Sequence, residues 1–390
     1  MNVAILDDYQ NVALRLADWS GVRRHAEIIV FNDHVADPSA VVERLRPFDV
    51  VCVMRERTPL TREILQQLPN LKLIASTGPR NASIETQTAA DLGIAVTATG
   101  YDSTPTIEFT WSLILASMRG IDREAASLKA GGWQTGLGSN LRGKGLAIVG
   151  LGNIGREVAR IGVAFGMKVI AWSQNLTEAK ASVAGATFVD KQTLFREADV
   201  VTVHLVLSGR TRGLIGAPEF ALMKPNARFV NTSRGPIVDE AALIEALQAR
   251  RIAGAAVDVF DVEPLPPDHP FRKLDNVLAT PHIGYVTEDL YRRSMQMLRS
   301  ILPLGSKPTR RSPSRPLHRL GKGSSELTIS NASANLHTPR HQGWSANVRC
   351  APETAKERTC CDILVGSKVE LTSNPLRAPC RHFQLRIVER

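Results

Sequence analysis

Three apolar runs in the second half of the chain are each followed by side chains that can bind anions or move protons. One run leads to Arg234, one to the carboxylates Asp258 and Glu263, and one to His282. Ligands of open parallel sheets bind beyond the carboxyl ends of the strands, where a planar guanidinium can hold a carboxylate. A histidine beside a carboxylate is suited to proton transfer to a carbonyl near neutral pH. Each residue alone could be an ordinary surface side chain, but three such strand ends together favour one site.

A glycine-rich turn lies upstream of these residues, in the sequence LAIVGLGNIG of residues 146–155. An apolar run precedes it and a stretch with helical spacing follows, so G-x-G-x-x-G stands on a strand-to-helix turn. Gly150 permits the tight turn, Gly152 lets a pyrophosphate approach the backbone, and Gly155 lets the helix pack on the strand. N–H groups at the helix start can hold phosphates. The pattern predicts a dinucleotide site; a glycine-rich turn without a ligand is the alternative.

The next predicted strand ends without the carboxylate that commonly binds the ribose 2′-hydroxyl of NAD. Its last residues are Trp172-Ser173-Gln174, and the nearest cation along the chain is Lys180. Without an acid a 2′-phosphate is not repelled, so NADP becomes acceptable. Alternatively, Ser173 and Gln174 hydrogen-bond the 2′-hydroxyl of NAD. The sequence therefore predicts a nicotinamide cofactor, NAD or NADP, and leaves the choice open.

Two series of alternating strands and helices must position these residues, and such alternation predicts an α/β fold with parallel sheets. A long apolar helix over 104–118 links the series, and an amphipathic helix over 287–302 could return the chain to the first one. The first domain would then be discontinuous. The predicted strands are Val3–Leu6, Glu27–Phe31, Val50–Met54, Leu71–Ser76 and Ile94–Thr97 in the first series, and Leu146–Val149, Lys168–Trp172, Val200–Leu205, Ala227–Asn231, Gly254–Val259 and Val277–Ala279 in the second.

The basic charge of the chain is concentrated towards its end. The net charge is +10, and residues 303–390 contain 15 Lys and Arg against 6 Asp and Glu. The body is nearly neutral, which argues against a nucleic-acid partner. The Arg-, Pro- and Ser-rich composition after Leu302 predicts a basic, disordered tail, apart from one candidate strand over 362–365. A change of reading frame near Leu302 is a further hypothesis.

Cysteine usage and hydropathy bear on the compartment. Four of the five cysteines lie in the tail without regular metal-ligand spacing, so no metal site is predicted. Cys52 lies within the apolar sequence VVCV and is expected to be a buried thiol in a reducing cytoplasm. No 18-residue apolar run and no basic leader is present, so neither a transmembrane helix nor a signal peptide is predicted.

The succession GLGNIG, NTSRG, DVFDVEP and PHIG resembles the D-isomer-specific 2-hydroxyacid dehydrogenases, which include phosphoglycerate, glycerate and formate dehydrogenases. The resemblance covers residues 1–302 and is most specific over 140–290. It implies a substrate domain (1–100, completed by 285–302), an NAD(P)-binding Rossmann domain (101–284), and a cleft between these two Rossmann-like or flavodoxin-like domains. It also implies a homodimer.

The same resemblance implies roles for individual residues. Arg234 would bind the carboxylate and carbonyl of the substrate, His282 would be the general acid and base, and Glu263 would hydrogen-bond His282. The residues implied to contact the cofactor, beside the glycines, are Asn153, Ile154, Thr232 and Asp258.

The chain departs from the family at the substrate-domain turn, whose backbone N–H groups hold the substrate carboxylate in the family. The turn reads Gly78-Pro79-Arg80-Asn81 here; Pro79 has no N–H, and Arg80 adds a cation. Arg55, in the sequence MRER at another strand end, could also face the substrate. The predicted substrate contacts in this domain are therefore Gly78, Arg80, Asn81 and Arg55. The two arginines suggest a substrate with an additional acidic or polar group.

The sequence predicts an oxidoreductase that transfers a hydride between NAD(P)(H) and C2 of a D-2-hydroxy or 2-keto acid. Two alternatives stay open. One is an NAD(H)-sensing binding protein of the corepressor type, whose basic tail would suit a macromolecular partner. The other is an enzyme damaged at its C-terminal end. Which 2-keto acid is used, and in which direction, is left open.

Overall fold

The computed structural model describes residues 1–79 and 81–302, together with three short strands nearer the C-terminus. Residues Met1–Pro308 form one compact unit and residues Thr309–Arg390 a second. Every predicted site residue belongs to the first unit. Arg80 lies outside the described residues, so its predicted substrate contact stays a prediction.

The first sheet of the larger unit has five parallel strands, because short aliphatic runs alternate with helices. Its strands are β1 (Asn2–Ile5), β2 (Glu27–Val30), β3 (Val50–Val53), β4 (Leu73–Ser76) and β5 (Ala95–Ala98). The helices between them are α1 (Ser20–Arg23), α2 (Pro38–Leu45), α3 (Arg62–Leu65) and α4 (Thr86–Asp91). The strand order is β2-β1-β3-β4-β5, so the fully buried β3 is central.

Two helices connect the first sheet to the second: α5 (Thr104–Arg119) and α6 (Ile121–Lys129). A proline in the first turn of α5 suits a helix start, and Gly120, in the left-handed conformation, ends the helix. Half of α5 is buried, because its apolar side chains pack against the second sheet. None of the residues of α6 is buried.

The second sheet has seven parallel strands, in the order β12-β11-β10-β9-β6-β7-β8. These strands are β6 (Gly145–Val149), β7 (Lys168–Trp172), β8 (Thr187–Phe188), β9 (Val200–Val203), β10 (Arg228–Asn231), β11 (Gly254–Val257) and β12 (Val277–Ala279). The intervening helices are α7 (Asn153–Ala164), α8 (Glu178–Val183), α9 (Lys191–Glu197), α10 (Ala217–Leu222) and α11 (Glu240–Gln248). The strand order changes direction between β6 and β9, where doubly wound sheets bind ligands. The predicted fold class is confirmed.

The last helix of this unit, α12 (Glu288–Ile301), packs against the first sheet and not the second. Its N-cap is Thr287, whose hydroxyl accepts a hydrogen bond from the N–H of Leu290. The apolar face of α12, including Met295 and Leu298, joins the core around Val3 and Ile5 of β1. Burial of this face holds the helix in place.

The second unit contains three described strands, β13 (Glu326–Thr328), β14 (Glu370–Leu371) and β15 (Gln384–Arg386), which form an antiparallel sheet in the order β13-β15-β14. The candidate strand over 362–365 and most of the predicted disordered tail lie outside the described residues. Within the described residues, no helix combines the length and apolar character that membrane crossing requires.

Candidate active site

The glycine turn between β6 and α7 has the geometry of a phosphate-binding loop. Gly150 has φ +100°, and a Cβ there would lie 2.6 Å from the carbonyl oxygen of His204. A Cβ at Gly155 would overlap the carbonyl oxygen of Gly150, whereas a Cβ at Gly152 would meet nothing within 4 Å. The first and third glycines are thus required by packing, and the second leaves room beside the start of α7. This room fits the pyrophosphate of a dinucleotide.

The predicted cofactor residues beside the glycines lie along the same edge of the seven-stranded sheet. Asn153 and Ile154 begin α7, and Asn153 Oδ1 accepts a hydrogen bond from Arg156. Thr232 follows β10, and its buried hydroxyl lies 2.8 Å from that of Thr110 on α5. These contacts hold the side chains of Asn153 and Thr232 in place at this edge. Cofactor binding by Asn153, Ile154 and Thr232 stays a prediction.

The loop that contains Arg210 lies beside the end of β7, a contact that the sequence did not predict. Gln174 Nε2 donates to the carbonyl oxygen of Arg210, 3.4 Å away, so the loop after β9 lies beside Ser173 and Gln174. Arg210 is 36 residues away from Gln174 along the chain, which is why local sequence gave no signal.

His282 and Glu263 form a charge-assisted pair, with His282 Nδ1 2.6 Å from Glu263 Oε2. The other carboxylate oxygen, Oε1, accepts from the N–H of Phe260 at 3.0 Å, which orients the carboxylate. Because Nδ1 carries the proton that Glu263 accepts, Nε2 is the ring atom left for a substrate. The pairing implied by the family resemblance is present.

Asp258 supports the loop that carries His282. Its Oδ1 accepts from the hydroxyl of Thr280 at 2.6 Å and from the N–H of Ile283 at 2.9 Å, and its Oδ2 accepts from the N–H of Gly284 at 2.8 Å. His282 has φ +52°, a left-handed conformation that non-glycine residues avoid. Burial raises the pKa of Asp258, although these hydrogen bonds act in the opposite direction. The cofactor contact predicted for Asp258 stays a prediction, and the hydrogen bonds that its side chain makes here hold the loop of His282 in place.

Arg234 lies on a preformed turn after β10. Asn231 Nδ2 donates to the carbonyl oxygen of Arg234 at 3.0 Å, and Ser233 Oγ donates to the carbonyl oxygen of Val203 at 2.6 Å. Arg234 Nη1 donates to the carbonyl oxygen of Ser233, and Nη2 donates to Glu56 Oε1 at 2.7 Å. Glu56 belongs to the first sheet, so this ion pair joins the two sheets across the site.

Arg55 lies above the Gly78 turn, where a Cβ at Gly78 would overlap its Nη1 atom. The backbone of Arg55 is left-handed, with φ +58°. Two hydrogen bonds hold it: its N–H donates to Thr77 Oγ1 at 3.0 Å, and its carbonyl oxygen accepts from Asn81 Nδ2 at 2.5 Å. The N–H of Gly78 donates to Thr99 Oγ1 at 2.8 Å. This turn therefore presents the Arg55 guanidinium, while the Gly78 N–H is engaged within the protein.

A shallow pocket opens beside Arg55 and Gly78, and three of its ten lining residues are the tyrosines Tyr101, Tyr285 and Tyr291. The guanidinium of Arg55 lies 5.1 Å from the ring centre of Tyr101 and 5.7 Å from that of Tyr285. Such cation–π contacts hold an arginine without consuming its hydrogen-bond donors.

Glu56 is the site residue whose role the sequence did not specify. It was visible only as part of a charged tetrapeptide, and its contact with Arg234 spans 178 residues of sequence. The supporting roles of Asp258 and Asn231 were equally hidden, because they depend on backbone groups that the fold brings together.

Comparison with known proteins agrees with this geometry. The family described as D-isomer specific 2-hydroxyacid dehydrogenase, NAD binding domain, matches residues 111–284. The glyoxylate reductase of Aeropyrum pernix is 41% identical over 245 residues, covering 60% of this chain and 73% of that protein. The hydroxypyruvate reductase of Thermotoga maritima is 40% identical over 273 residues, covering 68% and 87%. The chain spans about half of a longer relative, covering 48% of the D-3-phosphoglycerate dehydrogenase of Methanocaldococcus jannaschii.

Solved structures show the same architecture. The phosphoglycerate oxidoreductase from Vibrio cholerae superposes with a TM-score of 0.73 at 40% identity, covering 77% of this chain and 97% of that chain. The chain therefore belongs to the D-isomer-specific 2-hydroxyacid dehydrogenase family and is a nicotinamide-dependent oxidoreductase acting on 2-hydroxy or 2-keto acids.

Proposed function

We propose that Arg234, His282 and Glu263 carry out the interconversion of a small D-2-hydroxy acid and its 2-keto acid in this chain. The observation that carries the proposal is the 2.6 Å pair of His282 and Glu263 on the same sheet edge as the glycine turn. A proton donor and a dinucleotide loop on one edge are what reduction of a carbonyl requires.

The residues divide the work as follows. Arg234 and Arg55 hold the substrate carboxylate, and Arg234 also polarises the carbonyl. His282 donates a proton from Nε2 to the carbonyl oxygen during reduction and accepts it during oxidation. Glu263 fixes the ring through Nδ1 and stabilises the imidazolium. The bound nicotinamide supplies or accepts the hydride at C2.

The cofactor site accepts either nicotinamide dinucleotide in this proposal. Gly150, Gly152 and Gly155 leave room for the pyrophosphate, and Ser173 and Gln174 offer neutral hydrogen-bonding groups at the ribose position. Because no carboxylate ends β7, electrostatics do not exclude a 2′-phosphate.

A substrate-by-cofactor panel on the purified protein tests the proposal. Turnover of glyoxylate, hydroxypyruvate or pyruvate should be measurable with NADH, NADPH or both. Replacing Arg234 with Lys should raise KM by about tenfold or more, because a lysine cannot make the bidentate contact. Arg251→Lys, on the exposed end of the same domain, is the matched control and should change KM less than about twofold.

Cofactor binding without turnover of any 2-keto acid would contradict this proposal and favour the sensing protein of the corepressor type. Titration of the protein with NADH, followed by nicotinamide fluorescence, provides that separate readout.

We further propose that the chain is a cytoplasmic homodimer. No residue of α6 is buried, and exposed apolar side chains on α6 and the segment after it include Leu128, Trp133 and Leu137. Apolar side chains that cluster on a surface commonly mark an interface. Light scattering of the purified chain should give twice the mass of one chain. The free, buried Cys52 is consistent with a reducing compartment.

A further inference from the structure

Glu56 occupies an unusual position for a carboxylate in an anion-binding cleft. It reaches from the first sheet to Arg234 Nη2 at 2.7 Å, and its other oxygen, Oε2, lies 3.7 Å from Arg55 Nε. Glu56 thus stands between the two guanidinium groups that hold the substrate in the proposed function. A ligand that contacts both arginines must lie within reach of the Glu56 carboxylate.

The Oε2 atom of Glu56 is buried and has no hydrogen-bond donor among the described residues. Buried acceptors are rarely left without a donor, because the desolvation they suffer is then uncompensated. Burial opposes the charged form of Glu56, yet Arg234 and Arg55 outweigh it and the pKa is lowered. Glu56 is therefore an ionised acceptor beside Arg234 and Arg55, and its Oε2 atom has no donor among the described residues.

Among the described residues, the charged side chains at this edge leave room for one negative group on the ligand. Arg234 and Arg55 contribute two positive charges, and Glu56 removes one. Arg57, in the same tetrapeptide, is committed elsewhere: it donates to the carbonyl oxygen of Asp7 at 2.7 Å and lies over the ring of Tyr9. Among the described residues, the balance suits the single carboxylate of a monoanionic 2-keto acid. A second anionic group would meet the Glu56 carboxylate.

We propose that Glu56 is a specificity-determining residue that accepts a hydrogen bond from a hydroxyl on C3 of the substrate. This inference rests on the proposed function and narrows it to 2-keto acids of the hydroxypyruvate type. It disfavours substrates that carry a methyl group at C3 and substrates that carry a second carboxylate. Arg234 retains enough N–H groups for this arrangement, since a guanidinium has five and protein acceptors take two of them.

The test compares hydroxypyruvate with pyruvate, which differs only by the C3 hydroxyl, in the full-length wild type, Glu56→Ala and Glu56→Gln. The wild type should prefer hydroxypyruvate in kcat/KM by about tenfold or more, the value expected for a hydrogen bond to a charged group. Glu56→Ala should lose most of that preference, and Glu56→Gln should lose a large part of it. In Glu56→Gln the amide oxygen remains with Arg234, so an amide N–H group replaces Oε2; the hydrogen bond that it donates to the substrate hydroxyl is neutral and weaker than one to a carboxylate.

Oxaloacetate provides an independent readout, because it carries a second carboxylate. Its kcat/KM should rise by about tenfold in both variants, as a repelling charge has been removed. Glu43→Ala, an exposed glutamate on α2, is the matched control and should leave all three substrates unchanged. Melting temperatures identify a variant that fails to fold, and the isosteric Gln variant keeps the test decisive in that case.

An unchanged hydroxypyruvate-to-pyruvate ratio in both folded variants overturns the inference. An equal fall in KM for the two substrates overturns it as well, since Glu56 would then merely compete with substrate for Arg234. An equal loss of kcat/KM also contradicts it, because Glu56 would act on the part that both substrates share. Absence of turnover by the wild type with every 2-keto acid refutes the proposed function instead.

Discussion

The edges of the two sheets that face the candidate site differ in the groups that they present. At the seven-stranded sheet, the backbone of the glycine turn leaves open space at Gly152, and a compact network under His282 fixes one reactive ring. At the five-stranded sheet, the charged side chains of Arg55 and Glu56 fill the edge. Both edges nevertheless use a left-handed residue just after a strand, Gly150 in one case and Arg55 in the other.

The difference separates general chemistry from substrate choice. In the proposed function, the glycines hold the cofactor and the histidine–glutamate pair moves a proton, which every reaction of this kind needs. Arg55 is held in its costly left-handed conformation by Thr77 and Asn81, so that its guanidinium covers the Gly78 turn. Asn81 thereby acts as a positioning residue. The five-stranded edge is the place to look for selectivity.

The largest expected effect tests whether proton transfer belongs to the seven-stranded edge. Replacing His282 with Gln should lower kcat by about 10²- to 10⁴-fold, since general acid–base catalysis contributes that much. Steady-state kinetics measures the loss, and NADH titration should show retained cofactor binding.

The matched control for this variant is His269→Gln. His269 Nε2 forms a similar pair with Glu240 Oε1 at 3.0 Å, but in a different part of the second sheet. We expect kcat to stay within about threefold of the wild type. If the two histidine variants lose activity equally, the assignment of the proton to His282 is wrong.

The next largest effect compares two glycines of the same turn, Gly155, which has no space for a Cβ, and Gly152, which has space for one. Gly155→Ala places a Cβ against the carbonyl oxygen of Gly150 and should cost roughly 1–3 kcal/mol of unfolding free energy, the usual penalty of overpacking. Gly152→Ala adds a Cβ in open space, so it should keep the melting temperature and weaken cofactor binding instead. Thermal unfolding and NADH titration of both variants measure the two quantities. Equal losses of stability would contradict the different roles of these glycines.

The last prediction concerns pH and the residue that backs the glycine turn. Desolvation of the half-buried His204 lowers its pKa to about 3. The unfolded chain takes up a proton there below about pH 6.5, and the folded chain does not until about pH 3. The unfolding free energy should therefore fall on acidification through this window, by at most about 1.4 kcal/mol per pH unit.

Denaturant unfolding at several pH values checks this slope. His204→Gln, which can keep a contact with Thr202, should flatten it, whereas His25→Gln at an exposed position should not. An unchanged slope in the His204 variant would show that the acid sensitivity arises elsewhere, for example at the charged five-stranded edge.

Much of the fold was predictable because buried parallel strands are continuous aliphatic runs bounded by turns. The predicted strands differ from the observed ones by at most two residues at either end. The exception is β8, a two-residue edge strand with exposed side chains that leaves no hydrophobic signal. Helices α1, α4 and α6 also leave little signal in the sequence, because α1 and α4 are short and α6 has no buried face.

The site was predictable only where a motif carries its own geometry. The glycine turn, Arg234, Glu263 and His282 each follow a recognisable strand end. Glu56 does not, because its partner lies on another sheet and no local pattern encodes that distance. The cofactor contact predicted for Asp258 stays a prediction. The hydrogen bonds from its side chain to the loop of His282 could not be predicted, because they depend on backbone N–H groups that the fold brings close.

The return of α12 to the first sheet has a consequence for how the chain is made. The core around β1 lacks Leu290, Met295 and Leu298 until the ribosome has passed them, whereas every strand of the seven-stranded sheet lies between Gly145 and Ala279. All strands of the second sheet are therefore synthesised before α12, the helix that covers the first sheet. The first sheet is synthesised first but can complete its core only after α12 has been made. During translation its apolar surface therefore stays exposed, and exposed apolar surface of this kind is what chaperones bind.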